Sequence, residues 1–196
     1  GAYNGFLTYG LKSGKYRLKP AYQCEDRSEL DKELKGVILK NEKIVITGNG
    51  RVGKGIIELI EASGLKEVSI DEFLNQTFNE PVFVHLGIMD YNERIDGSLS
   101  NKQEFYSHPE LYQSSFVKFA KKADIFMAGH FYSSGSPYLF TRNDAKLYDF
   151  NLNVVADISC DIDGPVASTI RSSSIEEPIY GYNPVSEQEV SFKNDN

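Results

Sequence analysis

The chain has 196 residues, 40% hydrophobic and 25% charged, which is enough apolar material for one substantial core and excludes wholesale disorder. A formal net charge of -7 with no basic run excludes nucleic acid or an anionic membrane as the main partner. Cys24 and Cys160 lie far apart without metal-ligand spacing, so no metal site is expected, and reduced thiols together with the lack of a membrane-length apolar stretch or a signal peptide point to a cytoplasmic protein.

In chain order, Tyr3 to Tyr16 carries Phe6, Leu7, Tyr9, Leu11 and Tyr16 with glycines between them, which predicts a short helix or entry segment packed on something larger. So apolar an opening predicts that a further part of the protein covers it. Ser28 to Leu34 reads as a helix with Ser28 at the N-cap and Asp31 three residues on, a variant capping box. Residues 1–40 form a helical entry segment on this reading, and 41–196 form the main body.

The body opens on Lys43-Ile44-Val45-Ile46-Thr47 running into Gly48-Asn49-Gly50-Arg51-Val52-Gly53, an apolar strand feeding G-x-G-x-x-G. Such a turn delivers backbone N–H groups and a helix N-terminus to a pyrophosphate. The helix that follows places Ile56, Ile57, Leu59 and Ile60 at helical spacing and ends near Gly64. Gly48 to Lys54 also spells G-x-x-x-x-G-K, the start of a P-loop, but Gly55 stands where a Ser or Thr would ligate Mg²⁺. The spacing therefore predicts a dinucleotide cradle rather than a site for nucleoside-triphosphate hydrolysis.

A second strand is expected over 67–70 and a third over 81–86, followed by a polar loop over 90–109. Phe116, Phe119 and Ala120 mark a helix ending near Lys121 and Lys122, with strands expected over 124–128 and 153–158. The segment 179–182 is read as an added edge strand, and the polar sequence after Asn183 is expected to fray. Strand-length apolar runs separated by helices predict a Rossmann-type α/β domain, a doubly wound parallel sheet in a single three-layer unit. Such sheets bind ligands at the carboxyl ends of their strands, so function should sit just after the runs.

Three positions there hold notable polar groups: the glycine turn, Gly129-His130-Phe131, and Asp157 to Asp161. His130 follows a strand directly, and a neutral imidazole donates one hydrogen bond while accepting another; the competing reading is a loop histidine with a structural partner. Asp157 ends its strand and is positioned either to reach a ligand or to cap the next turn. Asp71, after the second strand, is the candidate ribose acceptor, and equally reads as a helix N-cap. Arg51 is a candidate phosphate partner, with Lys54 one turn along. His85 reads as a packed residue, His108 as a solvated one, and Asp161 and Asp163 as turn residues. The 12 tyrosines and 12 phenylalanines scatter among apolar runs without interleaved basic residues, which is core packing rather than a base-stacking surface for nucleic acid.

Several segments together resemble the lysine-forming saccharopine dehydrogenases and the related alanine dehydrogenases and transhydrogenase nucleotide domains. They are Gly1 to Gly5, Gly48 to Gly55, Ala123 to Phe131, Val155-Ala156-Asp157-Ile158-Ser159-Cys160-Asp161 and Pro178-Ile179-Tyr180-Gly181-Tyr182-Asn183-Pro184, and they span nearly the whole chain. The resemblance implies the NAD- or NADP-binding half of an amino-acid oxidoreductase. On this resemblance Gly48, Asn49, Gly50, Arg51, Val52, Gly53, Asp71, Gly129, His130 and Asp157 hold the cofactor. In that family the general acid and base lie in an N-terminal substrate lobe that nothing in this chain matches, so no catalytic residue is assigned. The alternative from another class is a non-catalytic dinucleotide-binding sensor or interaction module.

Overall fold

The computed structural model describes residues 1–192. Helices α1 (Ala2–Ser13) and α2 (Arg27–Leu34) precede strand β1 (Lys43–Thr47), which leads through the glycine turn into α3 (Arg51–Ala62). Then come β2 (Lys66–Glu67), α4 (Ile70–Asn75), β3 (Val82–Leu86), β4 (Asn92–Arg94), α5 (Lys102–Ser107), β5 (Tyr112–Ser114) and α6 (Val117–Ala120). The chain continues with β6 (Ile125–Ala128), β7 (Val154–Asp157), β8 (Gly181–Asn183) and β9 (Gln188–Val190).

Five of these strands build one sheet in the order β2-β3-β1-β6-β7, with every pairing parallel. Burial follows the period of two expected for strands. Ile44 and Ile46 join Tyr3, Phe6, Ile56, Ile60 and Met127 in a core beneath α1, α2 and α3. Val45 points the other way, into a core with Phe73, Val84, Phe116, Phe119, Phe126 and Phe140. Two cores on two faces make the expected three-layer α/β domain.

The strand order has a consequence for the ribose position. In the dinucleotide-binding arrangement, the strand after the glycine helix lies beside the first strand. Here β3 takes that place and β2 is displaced to the edge. Composition explains the exchange: Val-Phe-Val-His-Leu can be covered on both faces, whereas Lys66 and Glu67 are both exposed. With β2 that short, residues 67–70 do not form the predicted strand, because Ser69 caps α4 through a capping box with Glu72.

Other local expectations change in the same way. α2 begins two residues earlier than read, since Asp26 rather than Ser28 is the N-cap and accepts the Glu29 amide. The polar stretch 90–109 contains β4 and α5, and β4 pairs antiparallel with β5 in a small second sheet. The tail does not extend the main sheet; β8 and β9 form their own hairpin, so the fraying expected after Asn183 does not begin there. Residues 193–196, which fall in that expected frayed stretch, lie outside the described residues. Among the described residues, no helix is long and apolar enough to cross a membrane.

Candidate functional site

Strand order reverses between β1 and β6, because the chain leaves β1 toward β2 and β3 and then crosses over to β6 and β7. The register aligns Thr47 with Leu86 on one side and with Ala128 on the other, so these strands end level. The crevice outside such a reversal is where open α/β sheets take ligands. Gly48 to Gly53 and Gly129-His130 meet there.

The turn is held by backbone packing that admits no side chain. Gly48 has φ 100°, and a Cβ on it would lie 2.3 Å from the Gly129 carbonyl oxygen. A Cβ on Gly53 would lie 1.7 Å from the Gly48 carbonyl oxygen. The Gly48 amide donates to the Leu86 carbonyl at 3.1 Å, and its carbonyl accepts from His85 Nε2 at 2.8 Å. His85, read from sequence as a packing residue, therefore braces the turn; its place at the end of β3 was the signal for this.

The N-terminus of α3 is left bare. Gly50 is its N-cap and supplies no side-chain cap, and the first turn carries no acidic residue. The backbone amides of Asn49 to Val52 find no acceptor among the described residues. α1 and α6 are likewise uncapped and acid-free, whereas α2, α4 and α5 start on Asp26, Ser69 and Asn101, each accepting an amide, and each has an acid in its first turn. Arg51 and Lys54 stand exposed at the positive end of α3, and neither side chain has a hydrogen bond or ion pair among the described residues. Arg27, Arg94, Arg142 and Arg171 pair with carboxylates, while Arg17 is exposed and, among the described residues, unpaired like Arg51. Two unpaired cations thus stand at the positive end of an uncapped helix, a combination suited to an anion.

Across the crevice His130 is 7% exposed, and its Nδ1 lies 2.9 Å from Thr47 Oγ1. Nε2 is buried with no hydrogen-bond partner among the described residues. Burial pushes the imidazole below its usual pKa against the opposing charges of Asp157 and Asp161, so the ring is neutral at pH 7. Thr47, half of this contact, was not singled out from sequence, since a strand-end threonine carries no signal of its own.

Asp157 lies close by, but its oxygens are occupied. Oδ1 accepts from the Ser159 hydroxyl at 2.6 Å and from the Ser159 and Cys160 amides, and Oδ2 accepts from the Thr169 hydroxyl at 2.6 Å. It thus shapes the 157–160 turn. Asp71 is not brought to the crevice at all. It sits in the first turn of α4, its Oδ1 accepting from Asn75 at 2.8 Å, after a strand two places from β1, roughly 10 Å aside at the usual strand spacing. A cavity of about 940 Å³ runs along the outer edge of β7, past Val155, Asp157, Arg171 and Tyr180. None of residues 48–53 lines it, so it is a feature separate from the glycine turn.

No family model matches the chain. A search of curated proteins finds 26% identity over 139 residues, 61% of this chain and 68% of the relative, with a protein of Protochlamydia amoebophila (strain UWE25). The chain is similar to a dephospho-CoA kinase. That finding corrects the resemblance to saccharopine and alanine dehydrogenases. With it go the amino-acid oxidoreductase assignment, its place in lysine metabolism and NAD or NADP as cofactor, and the dinucleotide-sensor alternative gains nothing in return. The structure supplies a physical reason for the error: glycine turns that look alike in sequence serve many phosphates, and the exchange of β2 and β3 removes the ribose-binding neighbour that a dinucleotide site needs.

Gly48 to Lys54 is the run of this chain that spells the start of a P-loop. Its local form differs from a phosphate-wrapping loop. α3 already begins at Arg51, so Gly53 and Lys54 belong to its first turn, and the Lys54 amide donates to the Gly50 carbonyl at 3.0 Å. Gly55 offers no hydroxyl for Mg²⁺, and the described residues contain no cluster of metal-ligating side chains.

Proposed function

We propose that the crevice between β1 and β6 binds the diphosphate of an adenine nucleotide, with the amides of Asn49 to Val52 and the side chains of Arg51 and Lys54 as its anion-binding groups. Adenosine 5′-diphosphate is the part that dephospho-CoA, ADP and ATP have in common, so the class fits the named relative without choosing among its ligands. The observation that carries the reading is the uncapped, acid-free first turn of α3 bearing two unpaired cations. The acid excess of the chain, with a net charge of -7, supports a small phosphorylated molecule rather than nucleic acid as partner. The free thiols of Cys24 and Cys160 support a cytoplasmic setting.

The reading claims binding and stops short of phosphoryl transfer, because Gly55 stands where the transfer chemistry of a P-loop needs a metal-binding hydroxyl. Calorimetric titration with inorganic pyrophosphate, ADP, dephospho-CoA and adenosine tests it. The first three bind, with or without Mg²⁺, and adenosine binds far more weakly. Equal binding of adenosine and ADP, or none of pyrophosphate, overturns it. Phosphorylation of dephospho-CoA in the presence of ATP and Mg²⁺ would show that transfer proceeds despite Gly55.

A further inference from the structure

Phe131 follows His130 at the carboxyl end of β6 and is 84% exposed, with no ring contact among the described residues. Its neighbours are held on both sides. His130 is buried against Thr47, and Tyr132 meets Tyr138 edge-on with ring centroids 6.0 Å apart. The Tyr138 hydroxyl in turn donates to the Asp163 carbonyl at 3.1 Å. A loop free to rearrange would fold its largest apolar ring inward; here Tyr132 is half-buried and rests on Tyr138, and Phe131 is presented to water. The segment that carries the ring abuts the glycine turn, because the backbone nitrogen of His130, one residue earlier, would lie 2.7 Å from a Cβ on Gly48. On the α3 side of the turn Val52 is 45% exposed, so apolar surface borders the bare amides on that flank too.

We infer that Phe131 is the platform on which the planar heteroaromatic ring of the bound nucleotide stacks. The inference rests on the phosphate reading above and assigns the other end of the same ligand. Ring stacking draws on π-faces and dispersion and needs no hydrogen-bond code, so an isolated aromatic side chain held at the rim suffices. The division of labour is then plain: α3 recognises the diphosphate, and the loop after β6 recognises the base.

The test titrates the unmodified protein, Phe131→Ala and Phe131→Trp with ADP and, separately, with inorganic pyrophosphate, and records a thermal melt of each. Phe131→Ala weakens ADP by about 5- to 100-fold and leaves pyrophosphate affinity and the melt unchanged, whereas Phe131→Trp restores ADP binding. An unchanged ADP affinity in Phe131→Ala, with pyrophosphate still bound, overturns the stacking role and leaves the phosphate site standing. Loss of pyrophosphate together with ADP in that variant also overturns it, since the ring would then be supporting the turn. Failure of the unmodified protein to bind pyrophosphate removes the phosphate reading itself.

Discussion

Reversing the charge at Arg51 should strengthen the empty fold and weaken the site. Arg51 is the first residue of α3, where the partial positive charge of the helix meets a side chain of the same sign and no acid offsets it. At an exposed helix end each such interaction is worth about 0.3–1 kcal/mol, so Arg51→Glu, which removes a repulsion and adds an attraction, stabilises the unliganded protein by about 0.5–1.5 kcal/mol. For a chain of this size that raises Tm by roughly 1–5 °C. The same change takes one charge-assisted contact of about 1.5–3 kcal/mol from a bound phosphate, which weakens pyrophosphate and ADP by about 10- to 100-fold, and repulsion adds to the loss. Differential scanning calorimetry at low salt, with and without pyrophosphate, reads both effects. The unliganded midpoint rises, and the upward shift given by pyrophosphate shrinks. A lower unliganded midpoint with an undiminished ligand shift would refute the assignment of Arg51 as an anion partner.

Gly53→Ala inverts an ordinary rule. Alanine inside a helix normally gains about 1 kcal/mol over glycine, but here the new methyl lies 1.7 Å from the Gly48 carbonyl oxygen, which β3 holds in place. A loss of about 2–4 kcal/mol is expected, read as a lower urea midpoint, and a stabilised variant would show that the turn is not packed as described. Glu42 gives the pH prediction. Burial alone would raise its carboxyl, but hydrogen bonds from Lys15, from the Tyr9 hydroxyl at 2.7 Å and from the Lys40 amide outweigh that and hold it at about 2. Its folded pKa thus lies below the unfolded 4.5, so its contribution is complete above pH 4.5 and disappears as pH falls toward 2. Glu42→Gln should cost about 2–3 kcal/mol at pH 7 and nearly nothing at pH 2 in denaturant titrations at the two pH values; an equal loss at both would sink the linkage.

Much of the architecture was legible because it depends on local pattern. Ile44-Val45-Ile46, Val82-Phe83-Val84 and Ile125-Phe126-Met127 are strands buried on both faces, and an apolar run of that length between helical stretches has few other uses. The glycine turn was legible for a steric reason, since Gly48 and Gly53 occupy places where a methyl would strike backbone. What the sequence leaves open falls where local pattern is silent. Asp71 follows a strand as a ribose acceptor would, and it is the competition of Lys66-Glu67 with the more apolar β3 for the place beside β1 that puts this strand at the sheet edge. Asp157 reads from sequence as somewhat more ligand-facing than turn-capping, and only Ser159 and Thr169, brought to it by the fold, show its oxygens to be occupied. Segment likeness misled more seriously, because short runs such as Ala-Asp-Ile-Ser-Cys-Asp serve turn geometry here and do not identify a reaction.

By itself the sequence determined that a layered α/β sheet forms and that its first strand ends in a tight glycine turn into a helix, because periodicity and glycine sterics act over a few residues. Tertiary structure alone decided the rest. Which strand lies beside β1, whether His85 and His130 meet the turn from the neighbouring strands β3 and β6, and which cations remain unpaired all depend on contacts between residues tens of positions apart. Those contacts follow from the competition of whole strands for burial at the centre of one sheet, a competition that no single segment records.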